Sequence, residues 1–197
     1  RLVVKHLGLG LLTHFARKLG WEKKLPTDFE YHPSPLSPPP VQRVGIQAVG
    51  KFAAGFGKVG MNAVHAAWLN LVIANKGQSK SIQLYMPAVE VQSLKAQPKL
   101  FSEDTAEQLK SMMRQTVIGG TATSAFRRSP YRQIKRRVSG KTGTLSGIDP
   151  KGSTTWFAGL MSYEKPEIAV AAVVVNQEKW SIKGMHLAAE ACRLWDH

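Results

Sequence analysis

The segment 139–144 has the sequence S-G-K-T-G-T, whose residue types suit a strand that binds a carboxylate. Lys141 carries a positive charge, and the hydroxyls of Thr142 and Thr144 can donate hydrogen bonds to an anion. Gly143 has no side chain, so a ligand or another backbone can come close there. In a pleated strand Lys141 and Gly143 share one face and the two threonines share the other, so strand twist must aim some of them at one pocket.

Two glycine-rich segments resemble nucleotide-binding motifs without matching them fully. Residues 55–60 (G-F-G-K-V-G) fit G-x-G-x-x-G before a predicted helix. A ribose-binding acid should follow about 20 residues later, yet no Asp or Glu occurs between Glu30 and Glu90. We interpret 55–60 as a turn that leads into a helix. Residues 140–142 (G-K-T) resemble the end of a phosphate loop, but Lys135 occupies the position of that motif's first glycine.

The sequence predicts no metal site and no cofactor. The six histidines show neither H-x-H nor H-E-x-x-H spacing, and no two of them lie four residues apart. The single cysteine, Cys192, excludes an internal disulfide and any cysteine-rich metal site. Its neighbours Ala191 and Leu194 indicate a buried thiol on a helix.

A basic cluster precedes and includes Lys141. Seven Lys and Arg residues lie between 127 and 141, a stretch without any carboxylate, and Tyr131 is its one aromatic ring. A nucleic-acid or anionic-membrane surface would have this charge. Because aromatic residues are sparse and no recognition module is present, we favour a solvated basic loop. The members are Arg127, Arg128, Arg132, Lys135, Arg136, Arg137 and Lys141.

The composition is that of a folded domain. The chain has 197 residues, of which 43% are hydrophobic and 20% are charged, so it can bury a core and is not disordered as a whole. Twenty-seven Lys and Arg against 13 Asp and Glu give a net charge of +14, which favours anionic partners. The longest apolar stretch, Ile168–Val175, is far shorter than the roughly 20 residues of a membrane-spanning helix.

Helices and strands at predictable positions must hold these residues. The third predicted strand is apolar on both alternating faces, which is typical of a central strand covered on two sides. A polar loop is expected between residue 120 and the first strand of the sheet. The expected helices are Leu2–Leu19 (ending at Gly20), Met61–Asn75, 103–118 (capped by Ser102, ending at Gly119 and Gly120) and Ser181–Trp195, with a proline-rich connection at 21–40; the expected strands are Ser81–Met86, Val138–Thr144, Thr154–Tyr163 and Glu167–Asn176.

Several segments in this order resemble the transpeptidase domain of penicillin-binding proteins. K-T-G-T at 141–144 is followed by W-F-A-G at 156–159 on the next strand. G-T-A at 120–122 follows a helix, A-N-K-G at 74–77 closes another, and the glycine turn at 55–60 also fits. The resemblance covers nearly the whole chain. It implies an α/β (α+β) fold in which helices flank an antiparallel sheet, as in penicillin-binding transpeptidases and serine β-lactamases.

The resemblance implies a serine-type D,D-transpeptidase that cross-links the D-alanyl-D-alanine ends of peptidoglycan stem peptides and is inhibited covalently by β-lactams. Lys141 would then supply positive charge to the substrate carboxylate and to the proton network. Thr142 and Thr144 would hydrogen-bond that carboxylate, and Gly143 would let the ligand lie along the strand. The backbone N–H of Thr144 would form half of the oxyanion hole.

The sequence departs from the family pattern at the nucleophile. No S-x-N occurs, and the one S-x-x-K, Ser162 to Lys165, follows K-T-G at a predicted hairpin. In an extended strand Ser162 and Lys165 would point to opposite faces, so we interpret the match as coincidence. The segments 1–8 and 16–21 resemble the helix that follows S-x-N in the family. We therefore expect the fold to be incomplete at the N-terminus, with both motifs and a membrane anchor preceding Arg1.

We expect 1–197 to be the C-terminal portion of one transpeptidase domain: a helical part, 1–80, and a part with the sheet and C-terminal helix, 81–197. The parent protein would act at the periplasmic or cell-surface side of the cytoplasmic membrane. Its partners would be stem peptides, β-lactams and cell-wall synthesis proteins, and nucleic acid is not favoured. Two alternatives stay open, a basic module that binds nucleic acid or another anionic polymer, and a non-catalytic homologue of the family.

Overall fold

The computed structural model describes residues 5–40, 45–82, 98–148, 151–177 and 182–196. The chain divides into two units, the first from Arg1–His65 and Ser81–Ala96 and the second from Ala66–Lys80 and Gln97–His197. The assignment of 1–197 to a single domain stays a prediction. The elements are α1 (Gly8–Lys18), α2 (Ile46–Ala53), α3 (Ala63–Ala74), α4 (Glu103–Ile118), a 3-10 turn (Thr123–Phe126), α5 (Tyr131–Ile134), β1 (Val138–Ile148), β2 (Lys151–Met161), β3 (Ile168–Asn176) and α6 (Gly184–Trp195).

In the first unit, α1 ends where the sequence predicts. Gly20 adopts a φ of 101°, a left-handed conformation that glycine reaches without strain. Its N–H donates to the carbonyl of Arg17 at 3.3 Å, and the N–H of Trp21 donates to the carbonyl of Ala16 at 3.2 Å. These two bonds form a Schellman motif, which satisfies carbonyls that the helix leaves open.

The proline-rich connection at 21–40 contains no helix or strand, as predicted, but it is not wholly a surface segment. Leu25, Ser34 and Leu36 are buried. The glycine turn packs against this connection, since a Cβ at Gly60 would lie 2.8 Å from Cγ of Pro35. The turn leads into α3, so the interpretation of 55–60 as a structural turn is confirmed. Of the predicted strand Ser81–Met86, the part beyond Ile82 lies outside the described residues.

His65 is buried in the first unit and links the residues that follow α1 to the start of α3. Its Nε2 contacts the carbonyl oxygen of Leu19 at 2.8 Å, and its backbone N–H donates to Oδ1 of Asn62 at 2.8 Å. The ring of Trp21 lies edge-on at 4.5 Å between centroids. Burial lowers the pKa of the His65 imidazole, and the hydrogen bond to Leu19 opposes this in part.

We expect this unit to lose stability in mild acid. The unfolded chain takes up a proton on His65 at about pH 6.5, whereas the folded chain resists protonation because its pKa is lower. The free energy of unfolding should therefore fall as the pH drops below about 6.5 and level off below the folded pKa. Urea midpoints at about pH 7.5 and about pH 5.5 measure this. In His65→Gln the difference between the two midpoints should shrink; an unchanged difference would assign the pH dependence to other groups.

In the second unit, the three strands form an antiparallel sheet in the order β1-β2-β3. The strands occur where the sequence predicts them, although β1 continues to Ile148 and β2 begins at Lys151. Within the described residues β3 lies at an edge of this sheet, whereas its pattern predicts a central strand. Val173 and Val175 are exposed, at 38% and 42%. The alternation of Ala and Val is apolar on both faces whether or not the second face is covered, so the pattern could not distinguish the two cases.

Helix α6 packs on this sheet through a buried stripe. Gly184 begins the helix, and a Cβ there would lie 2.7 Å from the carbonyl oxygen of Thr155 on β2. The absence of a side chain thus lets the helix start directly on the sheet. Cys192 is fully buried, which confirms the prediction of a buried thiol, and this burial raises the pKa of the thiol to about 12. The stripe has the helical spacing i, i+3, i+4, i+7 and consists of Met185, Ala188, Ala189 and Cys192.

The segment between α4 and β1 is more ordered than the predicted polar loop. It contains a 3-10 turn and α5. Ala125, Phe126 and Ile134 are buried in the same core as Phe157 of β2, with the two phenylalanine rings 6.2 Å apart. Single apolar residues spaced between arginines and serines gave no periodic signal, although they anchor the segment. The basic side chains of this segment face solvent, with Lys135 half-buried.

Candidate carboxylate-binding site

The K-T-G-T segment lies on β1, at an edge of the described sheet. Gly140 fixes how this strand packs, because a Cβ there would lie only 2.2 Å from Cζ of Phe157. The ring of Phe157 thus occupies the space in which a side chain would stand. On the paired strand, a Cβ at Gly159 would lie 2.2 Å from the carbonyl oxygen of Ser139. Two glycines opposite each other therefore let β1 and β2 approach around a buried aromatic ring.

The pairing register separates the site residues onto two faces, as the alternation predicts. Thr142 pairs with Phe157 and Thr144 pairs with Thr155. On the other face Gly143 pairs with Trp156, and a Cβ at Gly143 would lie 3.3 Å from the Trp156 Cβ. A larger residue at position 143 would press on this tryptophan. Gly143 therefore leaves this face of the strand without a side chain at position 143.

Lys141 and Thr144 are exposed, and Thr142 between them is half-buried. Nζ of Lys141 donates to the carbonyl oxygen of Thr142 at 2.6 Å, so the ammonium group lies along its own strand. A charged donor and two hydroxyls are thus available within four residues of an edge strand. The structure brings together the residues that the sequence selected; their roles in binding stay predictions.

Thr121 belongs to the same site, although the sequence marked it only as part of G-T-A. Its Oγ1 lies 2.5 Å from Oγ1 of Thr142, a hydrogen bond in which either hydroxyl can be the donor. Thr121 follows α4, whose start is capped as predicted: Oγ of Ser102 accepts from the N–H of Thr105 at 3.1 Å. Helix α4 ends at Ile118 with Gly119 as its C-cap. In the sequence, Thr121 was marked only by its place directly after Gly119 and Gly120, where the helix is predicted to end.

The surroundings of the strand are strongly basic. Arg127, Arg128, Arg132 and Arg136 are exposed on the segment that leads into β1. Arg137 forms an ion pair with Asp196, and its Nη2 donates to Oγ of Ser162 at 3.2 Å. An anion approaching β1 therefore meets a positive field along this side of the second unit.

Ser162, the serine of the S-x-x-K match, lies in a turn and not in a strand. Strand β2 ends at Met161, and Ser162 has a φ of 66°. Ser162 and Lys165 therefore do not lie in one extended strand, and the expectation that they point to opposite strand faces is wrong. Ser162 is buried, and within the described residues its one hydrogen-bond partner is Arg137 and not Lys165. A cavity of about 270 Å³ opens beside it, lined by Arg136, Arg137, Ser162, Tyr163, Glu164, Lys165 and Glu167.

Comparison with known families identifies the fold. The family model for the penicillin binding protein transpeptidase domain matches residues 3–193. The chain belongs to this family. The predicted family is thereby confirmed, and so is the predicted fold of an antiparallel sheet with flanking helices. A search of curated protein sequences finds no match.

Three solved structures have the same fold. Penicillin-binding protein A from M. tuberculosis, in an imipenem acyl-enzyme complex, superposes with a TM-score of 0.71 at 21% identity, over 95% of this chain and 42% of that one. A peptidoglycan glycosyltransferase from Burkholderia ambifaria gives 0.74 at 17% identity, over 95% and 56%. The D,D-transpeptidase domain of a peptidoglycan glycosyltransferase from Eggerthella lenta gives 0.67 at 21%, over 95% and 47%. The chain thus spans about half the length of these structures.

Among the described helices, none combines the length and apolar character that crossing a membrane requires. The described residues also include no group of three His, Cys, Asp or Glu side chains placed to hold a metal ion.

Proposed function

We propose that this chain supplies the substrate-binding strand of a serine-type peptidoglycan D,D-transpeptidase, and that it binds the free carboxylate of a D-alanyl-D-alanine end. The observation that carries the proposal is the edge strand β1, on which exposed Lys141 and Thr144 flank the half-buried Thr142 in a chain of the transpeptidase family. Among the described residues no strand pairs with the outer side of β1, and backbone groups on such an edge can hydrogen-bond an extended peptide.

Each residue of the segment has a distinct part in the proposed binding. The ammonium of Lys141 attracts the carboxylate and supplies charge to the proton network, and the hydroxyls of Thr142 and Thr144 donate to the carboxylate. Gly143 leaves room for the peptide backbone along the strand. The N–H of Thr144 stabilises the oxyanion of the tetrahedral intermediate; removal of a donor of this kind costs about 2.7–4 kcal/mol in related acyl transfer.

The nucleophile of the proposed reaction is not among residues 1–197. Covalent catalysis needs a serine beside a group that can take its proton. The sequence has no S-x-N, and the partner of Ser162 is Arg137, whose guanidinium donates hydrogen bonds and has no acceptor atom that could take the serine proton. Acyl transfer would therefore require a serine and a lysine from outside these 197 residues.

Because stem peptides lie outside the cytoplasm, we place the proposed activity on the periplasmic or cell-surface side, where β-lactams and other cell-wall synthesis proteins are further partners.

We expect that the 197-residue chain forms no acyl-enzyme. Incubation with a fluorescent penicillin, followed by denaturing electrophoresis, should give no labelled band, because no activated serine is available to open the β-lactam ring. Ser162→Ala serves as the matched variant. A band in the wild-type chain that disappears in Ser162→Ala would assign the nucleophile to Ser162 and contradict this part of the proposal.

Reversible binding of a peptide tests the proposed carboxylate site on β1. We expect the chain to bind an N-acetylated peptide that ends in D-Ala-D-Ala, with NMR shifts centred on 141–144, and to bind the C-terminally amidated peptide at least about tenfold more weakly, because charge-assisted hydrogen bonds to the carboxylate are lost. Equal binding of the two peptides would contradict a carboxylate site on β1.

The alternative of a nucleic-acid module is weakened by Tyr131. The exposed arginines would serve such a function, but the one aromatic ring of the cluster is half-buried, and its hydroxyl donates to Glu190 at 3.0 Å. A ring held in this way is not free to stack on bases. A non-catalytic homologue of the family remains the second hypothesis, and the peptide titration would still succeed for it if β1 had kept its role.

A further inference from the structure

Thr121 and Thr142 bring two hydroxyls together at the candidate site. The 2.5 Å contact between their oxygens joins the turn after α4 to the middle of the K-T-G-T segment. Thr121 is exposed and Thr142 is half-buried, so a ligand can reach the pair. Thr142 has a role in the proposed binding of the carboxylate, whereas Thr121 has none.

The turn that carries Thr121 is tightly fixed. Gly120 sits so close to α4 that a Cβ there would lie 2.8 Å from the Cα of Thr116. On the other side of Thr121, Ala122 is fully buried, and its N–H donates to the carbonyl of Thr116 at 3.0 Å. Thr121 therefore stands between two anchored neighbours, which hold its hydroxyl in place.

Helix α4 is itself held against the sheet. The guanidinium of Arg114 lies 4.3 Å from the ring centroid of Tyr163, just after β2, and Nζ of Lys110 lies 5.1 Å from the same centroid. Lys110 is buried and also forms an ion pair of 2.8 Å with Glu107. These contacts fix the helix that positions Thr121, so the short bond to Thr142 joins two well-supported elements.

The donor capacity of the two hydroxyls limits what each can do. A hydroxyl has one proton to donate and two lone pairs that accept, and a carboxylate only accepts. If Thr142 donates to Thr121, its proton is not available to a bound carboxylate. If Thr121 donates to Thr142, the Thr142 proton is free, and Thr142 becomes a stronger donor because its oxygen is already accepting a bond. Binding of a carboxylate at Thr142 therefore selects the second arrangement.

We propose that Thr121 is a positioning residue for substrate binding: its hydroxyl donates to Thr142 and thereby directs the Thr142 proton to the terminal carboxylate of the stem peptide. This inference rests on the proposed function of β1. Thr121 touches Thr142 and not the substrate. A side chain at 121 without a hydroxyl leaves Thr142 free to turn and removes the polarisation of its donor.

The test is a set of NMR titrations of the 197-residue chain with the N-acetylated D-Ala-D-Ala peptide and its amide. Thr121→Val, which keeps the shape of threonine, should weaken binding of the carboxylate form about three- to tenfold. Thr121→Ser should restore most of the affinity, because it restores the donor. In a Thr142→Val background, Thr121→Val should cause no further loss, since its effect passes through Thr142.

Thr123→Val is the matched control. The hydroxyl of Thr123 donates to the carbonyl of Val117 at 3.2 Å, near the same turn but away from β1, so its removal should leave the affinity unchanged. Thr121→Ala is a second variant without a hydroxyl, which covers the case in which valine disturbs folding. Full affinity in Thr121→Val, or no rescue by serine, overturns the inference while the proposed function stands. Absence of carboxylate-dependent binding in the wild-type chain overturns both.

Discussion

A methyl group added at Gly140 is expected to destabilise the second unit by about 1–3 kcal/mol or more. The new Cβ would lie 2.2 Å from Cζ and 2.6 Å from Cε1 of Phe157, far inside van der Waals contact. The ring has little room to move, because it is fully buried and packs against Phe126. Urea denaturation followed by circular dichroism would show the loss as a lower midpoint for Gly140→Ala.

Two comparisons isolate the clash as the cause. Gly119→Ala adds the same methyl where nothing lies within 4 Å, so its effect should stay within about 0.5 kcal/mol. Phe157→Leu replaces the ring that the new Cβ would strike with a shorter side chain. In that background Gly140→Ala should destabilise the protein less than it does alone, and a double-mutant cycle measures this coupling. If Gly140→Ala proved as mild as Gly119→Ala, the close packing of β1 on Phe157 would be refuted.

Lys141→Gln is expected to weaken binding of the D-Ala-D-Ala peptide roughly tenfold or more. The substitution keeps much of the side chain's length and removes the charge, and charge-assisted hydrogen bonds contribute about 1.5–3 kcal/mol. The titration that tests the proposed function measures the change directly. Binding of the amidated peptide should change little, because that ligand has no carboxylate for the ammonium to attract.

Lys151→Gln provides the control for net charge. Lys151 is exposed at the start of β2 and pairs with Ile148, seven residues along β1 from Lys141, which corresponds to roughly 23 Å. Lys151→Gln removes one positive charge from the same hairpin, at a distance where screening leaves little direct effect on a carboxylate bound at Lys141. Equal losses in the two variants would show that general attraction by a basic protein, and not a site at Lys141, accounts for binding.

Features set by local chemistry could be predicted from the sequence. The start of α4 follows from the hydroxyl of Ser102, which caps an open N–H, with Glu103 and Asp104 in the first turn. The end of α1 follows from Gly20, which takes a left-handed conformation at little steric cost. These signals act over a few residues, so no knowledge of the rest of the chain is needed.

Features set by contacts between distant residues could not be predicted. The position of β3 at an edge of the described sheet depends on which strands pair with it, and its own alternation of Ala and Val is the same at an edge and at the centre. The buried side chains Phe126 and Ile134 anchor a segment that is polar by composition. Ser162 lies in a turn after β2, which ends at Met161 and not at Tyr163 as predicted.

The candidate site shows the same division. The K-T-G-T segment could be found from residue types alone, because charge, hydroxyls and a missing side chain are properties of single residues. Gly140 leaves room for the ring of Phe157 only once β1 has paired with β2. Thr121 contacts Thr142 only once α4 has packed beside β1. The sequence by itself determined which groups could bind a carboxylate, and the tertiary structure decided which neighbours hold them in place, because packing distances arise between residues far apart in the chain.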